Sequence, residues 1–245
     1  MKCLVCISNV PDTTTKIKFD ASGKELDKAG VSFVINPYDE YGLVRSIEFK
    51  EQTGSGSTTV ICVGKAEVEQ TIRKALAIGA DDAARVDADP TDAYFIAKQI
   101  AEYARGKGFD FIFFGKESID SNGAQIAGMV AEMLGVAYAP FASKLDVSGG
   151  KAVLEREAEG GTEVVELAMP VVVSCQKGIS EWRIPNMKGI MAARTKKIEV
   201  VQPVAVSAYT SGVKYELPPA KAGCVMIAPE NVSDLVQVLV QKGAL

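Results

Sequence analysis

Between residues 1 and about 140, short β-branched apolar runs alternate with segments of helical periodicity, and no other feature narrows the fold as far. Residues 2–8, 31–35, 58–63, 83–86 and 110–114 read as strands. Helices are expected over 38–52, 66–78, 91–106 and 123–134, with Gly79 and Gly135 at C-terminal positions where glycine ends a helix well. Such alternation requires a mostly parallel sheet with helices on both faces. Ligands of these sheets lie at the carboxyl ends of the strands, so the loops after 8, 35, 63 and 114 are the places to look.

The pattern changes beyond 140. A hairpin is already expected at 15–27, around Asp20 to Gly23. Residues 141–175 read as antiparallel strands with turns at Ser148 to Gly150 and Glu159 to Gly161. Residues 176–197 have no strong periodicity and are basic. Residues 203–222, with Pro203, Pro218 and Pro219, read as an extended arm, and 231–242 as an amphipathic helix with Val232, Leu235, Val236 and Leu239 on one face. The chain therefore divides into a core with an antiparallel extension, 1–175, and an arm, 176–245. A long arm needs something to lie on, which points to a partner subunit.

Composition removes several chemistries. Among 245 residues there is no histidine, which excludes Ser-His-Asp and Cys-His catalysis and His-ligated metal. A net charge of −4 and 7% aromatic residues argue against a nucleic-acid surface. No apolar run reaches the roughly 18 residues of a membrane span. Five scattered cysteines suit reduced thiols in a cytoplasmic setting. Cys3 and Cys6 lie three apart in a strand and so point to opposite faces, as buried residues rather than a redox pair. Asp12, Asp39, Asp81, Asp82 and Asp120 have no metal-ligand spacing.

Two loops could carry chemistry. The loop after 114 runs Gly115, Lys116, Glu117, Ser118, Ile119, Asp120, Ser121, Asn122, Gly123, Ala124, Gln125, Ile126 and leads into a helix. Backbone N–H groups there could hold a phosphate. A plain helix cap by Ser121 or Asn122 satisfies the same residues. Asn36, Pro37, Tyr38 and Asp39 read as a turn and N-cap for the next helix. Trp182, Ile184, Met187, Ile190 and Met191, beside the basic stretch Arg194 to Lys197, have the composition of a partner surface.

Taken together, these residues resemble the β subunit of electron transfer flavoprotein. The most specific match is the run from Arg156 through Gly160 and Gly161 to Glu163, Val165, Pro170 and Val172. Asn36 to Tyr38, Arg73 to Asp81 and Gly115 to Asp120 also match; Leu154 departs slightly. The resemblance implies an adenine-nucleotide-binding, Rossmann-like core in a heterodimer whose α subunit carries the redox FAD. It implies nucleotide contacts at Cys6, Asn36 to Asp39, Val63 and Gly115 to Ile126, and a flavin-facing position at Thr13. It implies partner recognition by Arg183, Met187, Ile190 and Met191, with dehydrogenases such as acyl-CoA dehydrogenases as donors and a membrane quinone oxidoreductase as acceptor. No catalytic residue is implied in this subunit.

The nucleotide is AMP in most members and a second FAD in electron-bifurcating, NADH-oxidising ones. The latter carry a Gly-Gly-x-Asp-Thr-x-x-Thr-like run. Its equivalent, Ala88 to Ile96, lacks the glycine pair, keeps Asp92 and has bulky Tyr94 and Phe95. Less room for a diphosphate, together with the helix around Asp234 to Val236, favours AMP. Asn36 to Asp39 resembles the bifurcating type.

Overall fold

The computed structural model describes residues 1–221 and 223–245. Ala222, the last residue of the expected extended segment, lies outside them. The first strand, β1 (Lys2–Cys6), stops two residues earlier than the apolar run suggests. The chain then forms β2 (Asn9–Pro11), which pairs antiparallel with β3 (Phe33–Ile35) as a separate two-stranded sheet. Between them the expected hairpin is reduced to a single bridge, Phe19 to Leu26.

Next come α1 (Pro37–Thr53), β4 (Ser57–Val63), α2 (Glu69–Ile78), β5 (Asp82–Val86), α3 (Ala93–Ala104), β6 (Phe111–Gly115) and α4 (Ile126–Leu134). Each helix is where the periodicity puts it; α1 extends one residue further at each end, whereas α2, α3 and α4 are shorter than expected. The N-cap of α3 is Asp92, which accepts the Phe95 amide at 2.7 Å. α4 begins at Ile126 rather than 123, because Asn122 and Ala124 hold positive φ and cannot continue a helix.

The second half holds β7 (Ala137–Ser148), β8 (Lys151–Ala158), β9 (Gly161–Ala168), β10 (Val171–Cys175), α5 (Met187–Thr195), β11 (Ile198–Val201) and α6 (Val232–Gln241). The nine-stranded sheet has the order β11-β5-β4-β1-β6-β10-β7-β8-β9. Every pair is parallel from β11 to β7; only β7/β8 and β8/β9 are antiparallel.

This corrects the reading of 141–175 as antiparallel throughout. β10 is fully buried between β6 and β7, as its unbroken apolar run suits. β7 serves both regimes: it runs parallel to β10, shifts register around Phe141, and continues antiparallel to β8. Phe141 sits at φ 54° there, its amide held by Ser174 Oγ at 2.9 Å.

Two apolar layers flank the sheet. One packs Cys3, Val5, Val60 and Cys62 against Leu43 and Ile47 of α1 and Ile72 and Leu76 of α2. The other packs Leu4, Cys6, Ile61 and Val63 against Ala97 and Ile100 of α3 and Val130 of α4. Cys3 and Cys6 thus serve opposite faces, as their spacing requires. The segment 176–197 holds a helix that its sequence does not announce: α5 seats Ala193 and Ile190 against the first layer. β11 adds a parallel edge strand beside β5.

Candidate functional site

Chain order reverses beside β1. From β1 the chain builds outward through β4 and β5, then returns to place β6 on the other side. The crevice between the carboxyl ends of β1 and β6 is therefore the switch point, where open α/β sheets bind ligands. Most of the residues singled out for the nucleotide border it.

Asp39 lies at its base, in the first turn of α1 and only 4% exposed. Its Oδ2 accepts the Ser8 amide at 2.7 Å, just past β1. Its Oδ1 accepts the Gly115 amide at 2.8 Å, at the end of β6. Burial pushes its pKa up to about 7, and polar contacts with Asn36, Ser8 and Gly115 pull the other way. Gly115 must be glycine: a Cβ there would stand 2.5 Å from Asp39 Oδ1 and 2.6 Å from Tyr38 Cβ.

Asn36 is fully buried and occupies the N-cap position of α1, but its side chain makes no cap bond. Instead Nδ2 donates to the Glu117 carbonyl at 2.8 Å, and Oδ1 accepts the Ile119 amide at 3.2 Å. Its own carbonyl takes the Asp39 and Glu40 amides. Asn36 and Asp39 thus tie the start of α1 to the loop after β6. Pro37 opens the helix, and Tyr38 lies under the Lys116 ammonium, 4.8 Å from its ring centre. Cys6 and Val63 are neighbouring buried ends of β1 and β4 on the α3/α4 face. Burial raises the Cys6 thiol well above its ordinary value, so it stays neutral.

The loop itself turns outward. The Ser121 and Asn122 amides return to the Ser118 carbonyl, and the Ser118 hydroxyl donates to Asp120. Asn122 and Ala124 both adopt φ 50°. Among the described residues, the amides of Gly123, Ala124 and Gln125 have no hydrogen-bond partner. Ile126 then starts α4, whose first-turn N–H groups carry the positive end of the helix dipole. Successive unpaired amides with left-handed residues among them form a concave anion-binding surface. Neither Ser121 nor Asn122 caps α4; the N-cap is Gln125, with no side-chain bond. The donor set therefore fits a phosphate.

One supporting residue escaped the sequence reading. Arg85 is buried near the end of β5; its Nη1 donates to the Gly64 carbonyl at 3.0 Å and to Asp87 at 2.7 Å. It fixes the loop after Val63. Its only signal was a lone arginine in an apolar strand.

The other singled-out residues lie elsewhere. Thr13 is exposed in the loop after β2. Around α5, Met187 and Met191 are 73% and 64% exposed, whereas Ile190 packs inward. The Arg183 guanidinium is engaged by Glu51 of α1, through two hydrogen bonds of 2.8 and 2.9 Å. Asp92 is fully committed: besides capping α3, it accepts the Tyr209 and Thr210 amides at 2.7 and 2.9 Å. The Tyr94 ring packs on Tyr209, 4.3 Å between centres. No helix among the described residues is long and apolar enough to cross a membrane.

Comparison with known proteins gives this arrangement a family. Residues 25–206 match the family model described as electron transfer flavoprotein domain. An electron transfer flavoprotein subunit beta of Syntrophomonas wolfei is 36% identical over 231 residues, 94% of this chain and 91% of the relative. That of Bacillus subtilis is 35% identical over 206 residues, 82% and 79% of the two chains. The human one is 30% identical over 254 residues, 100% and 99%. With a family match over most of its length and near-full-length relatives of one kind from bacteria to mammals, this chain belongs to the electron transfer flavoprotein family, as one of its β subunits.

Proposed function

We propose that this chain, paired with an α subunit that holds the redox FAD, carries electrons from primary dehydrogenases such as acyl-CoA dehydrogenases to a membrane quinone oxidoreductase, and binds AMP as a structural nucleotide. Bound flavin supplies the one- and two-electron chemistry. This chain's residues bind and orient. The unpaired amides of Gly123, Ala124 and Gln125 and the start of α4 would take the phosphate. Cys6, Asn36 to Asp39 and Val63 would form the crevice walls. Thr13 would face the flavin. The exposed Met187 and Met191 would meet the dehydrogenase, with Arg183 and Ile190 holding that loop to the core. The arm 176–245 would wrap the α subunit, and a cytoplasmic location goes with this reading.

The observation that carries AMP is the state of Asp92. Its carboxylate caps α3 and accepts the Tyr209 and Thr210 amides, with Tyr94 packed alongside, and these contacts, in the segment where a second FAD's diphosphate would be held, support AMP. A bifurcating subunit with FAD in place of AMP is the second reading, favoured by Asn36 to Asp39. Nucleotide released from the co-purified heterodimer and separated by chromatography decides between them. One FAD and one AMP per heterodimer is expected; two FAD and no AMP overturns the proposal.

A further inference from the structure

We propose that Asp39 is the positioning residue of the switch-point crevice: its ionised carboxylate clamps the loops after β1 and β6 together, and protonation releases one of them. The ligand rests on the nucleotide reading above; the clamp rests on geometry alone.

Three elements meet at this side chain. α1 supplies the carboxylate, β1 leads to the Ser8 amide and β6 ends in the Gly115 amide. The two strand ends belong to opposite wings of the sheet, and their side-by-side hydrogen bonding stops at Val5 with Phe113. Beyond that register, the two oxygens of Asp39 join the loops directly, and Asn36 joins them a second time, its backbone amide donating to the Ser8 carbonyl at 3.0 Å. The approach is close enough that Gly115 tolerates no Cβ. Asn36, three residues earlier, extends the hold to Glu117 and Ile119. The path from Asp39 to the unpaired amides at Gly123 to Gln125 is thus one short, tethered loop.

The clamp has no cation. The ionisable groups against it are the thiols of Cys6 on β1, Cys62 on β4 and Cys175 on β10, each held neutral by burial, and Tyr38 beside it on α1. Elsewhere on α1, Glu40 pairs with Lys74, and Arg45 with Glu48 and Asp146. In the loop after β6, Lys116 pairs with Glu117. Among the described residues no lysine or arginine donates to Asp39.

An ionised carboxylate accepts at both oxygens; a protonated one turns one oxygen into a donor facing an N–H. Burial raises the titration to about 7, so this change falls within the working range of a cell. The same upward displacement means that the folded chain binds the proton more tightly than the unfolded one. Fold stability then falls as pH rises from the ordinary carboxyl range through about 7, while the crevice becomes better ordered over the same interval. Site order is gained at the expense of global stability.

The test uses the co-purified heterodimer with selectively 15N-labelled serine and glycine. The Ser8 and Gly115 amide resonances are followed from about pH 5.5 to 9, alongside AMP binding by calorimetry. In the parent protein both amides should shift with one shared midpoint near 7. AMP affinity should fall by up to about tenfold per pH unit below it, as for a single linked proton. In Asp39→Asn the amides should be flat, with AMP affinity held at the low-pH level except for titration of the AMP phosphate, which both proteins share. Flat Ser8 and Gly115 amides in the parent overturn the clamp, as does an unchanged inflection in Asp39→Asn. The parent titration is decisive even where the variant fails to fold. Titrating amides with no AMP bound at any pH leave the clamp standing and remove the nucleotide reading instead.

Discussion

Gly115 and Gly135 both close an element, yet substitution should separate them. At Gly135, φ is +68° and nothing lies within 4 Å of where an alanine methyl would stand, so alanine meets only the left-handed backbone. That costs about 1–2 kcal/mol. At Gly115 the backbone is ordinary, but the methyl would overlap Asp39 Oδ1 and the Tyr38 backbone, neither of which is free to move. Overpacking of this kind costs about 3 kcal/mol, because it forces the α1 start away from β6. Urea unfolding should therefore show Gly115→Ala as the more damaging change, with loss of bound nucleotide; equal costs would mean that the crevice yields more easily than these distances imply. At this scale, residue type was legible and partner was not. Asn36 read as an N-cap, and it does occupy that position, but its amide reaches 81 residues along the chain to Glu117. Gly115 read as the end of a strand, and only the folded approach of Tyr38 and Asp39 explains why nothing larger would serve. Local sequence cannot encode which distant backbone group a short polar side chain will meet.

Periodicity located α1 to α4 because each seats several apolar residues against the sheet. α5 lacked that signal: Gly189 interrupts its nine residues, and only Ala193 is buried. What could have revealed it is Asn186, which accepts the Gly189 amide at 2.8 Å as an N-cap. Gly189 persists in the helix because a Cβ there would press into the Ala77 carbonyl oxygen of α2. Two effects oppose each other in Gly189→Ala. Helix propensity gains about 1 kcal/mol, and the overlap with α2 costs about 1–3 kcal/mol. Contact should win: the unfolding midpoint falls, and trypsin cuts faster after Lys188 and Arg194. A stabilised variant would show that α5 does not seat on α2. The same seating turns Met187 and Met191 outward while Arg183 grips Glu51. Arg183→Lys, which loses the two-pronged contact, should weaken dehydrogenase coupling severalfold with flavin content unchanged. Its KM for the reduced dehydrogenase, measured beside that of Met187→Ala, checks this.

At the scale of the whole molecule, alternation of strands and helices dictated the parallel sheet, but it could not place β11, which four residues after α5 close onto β5. Nor could it say how far the core holds the arm. The described chain after β11 is fastened at three points. Val204 exchanges hydrogen bonds with Gln99, Tyr209 and Thr210 donate to Asp92, and Tyr215 donates to the Gly23 carbonyl while stacking on Phe19. Beyond Tyr215 no described residue is buried, and α6 leaves Val232, Leu235, Val236 and Val240 exposed. An amphipathic helix with no covered face gains little from its own chain, since packing supplies most helix stability. If the α subunit covers that face, trypsin should cut the isolated chain first after Lys221 and Lys242. The trimmed core should unfold within about 0.5 kcal/mol of the full chain, because the lost segment buries nothing against it. In the heterodimer the same bonds should resist cleavage for many times longer. Equal cleavage rates in both states would detach the arm from the subunit interface; a core several degrees less stable after trimming would instead make the arm a structural part of this chain.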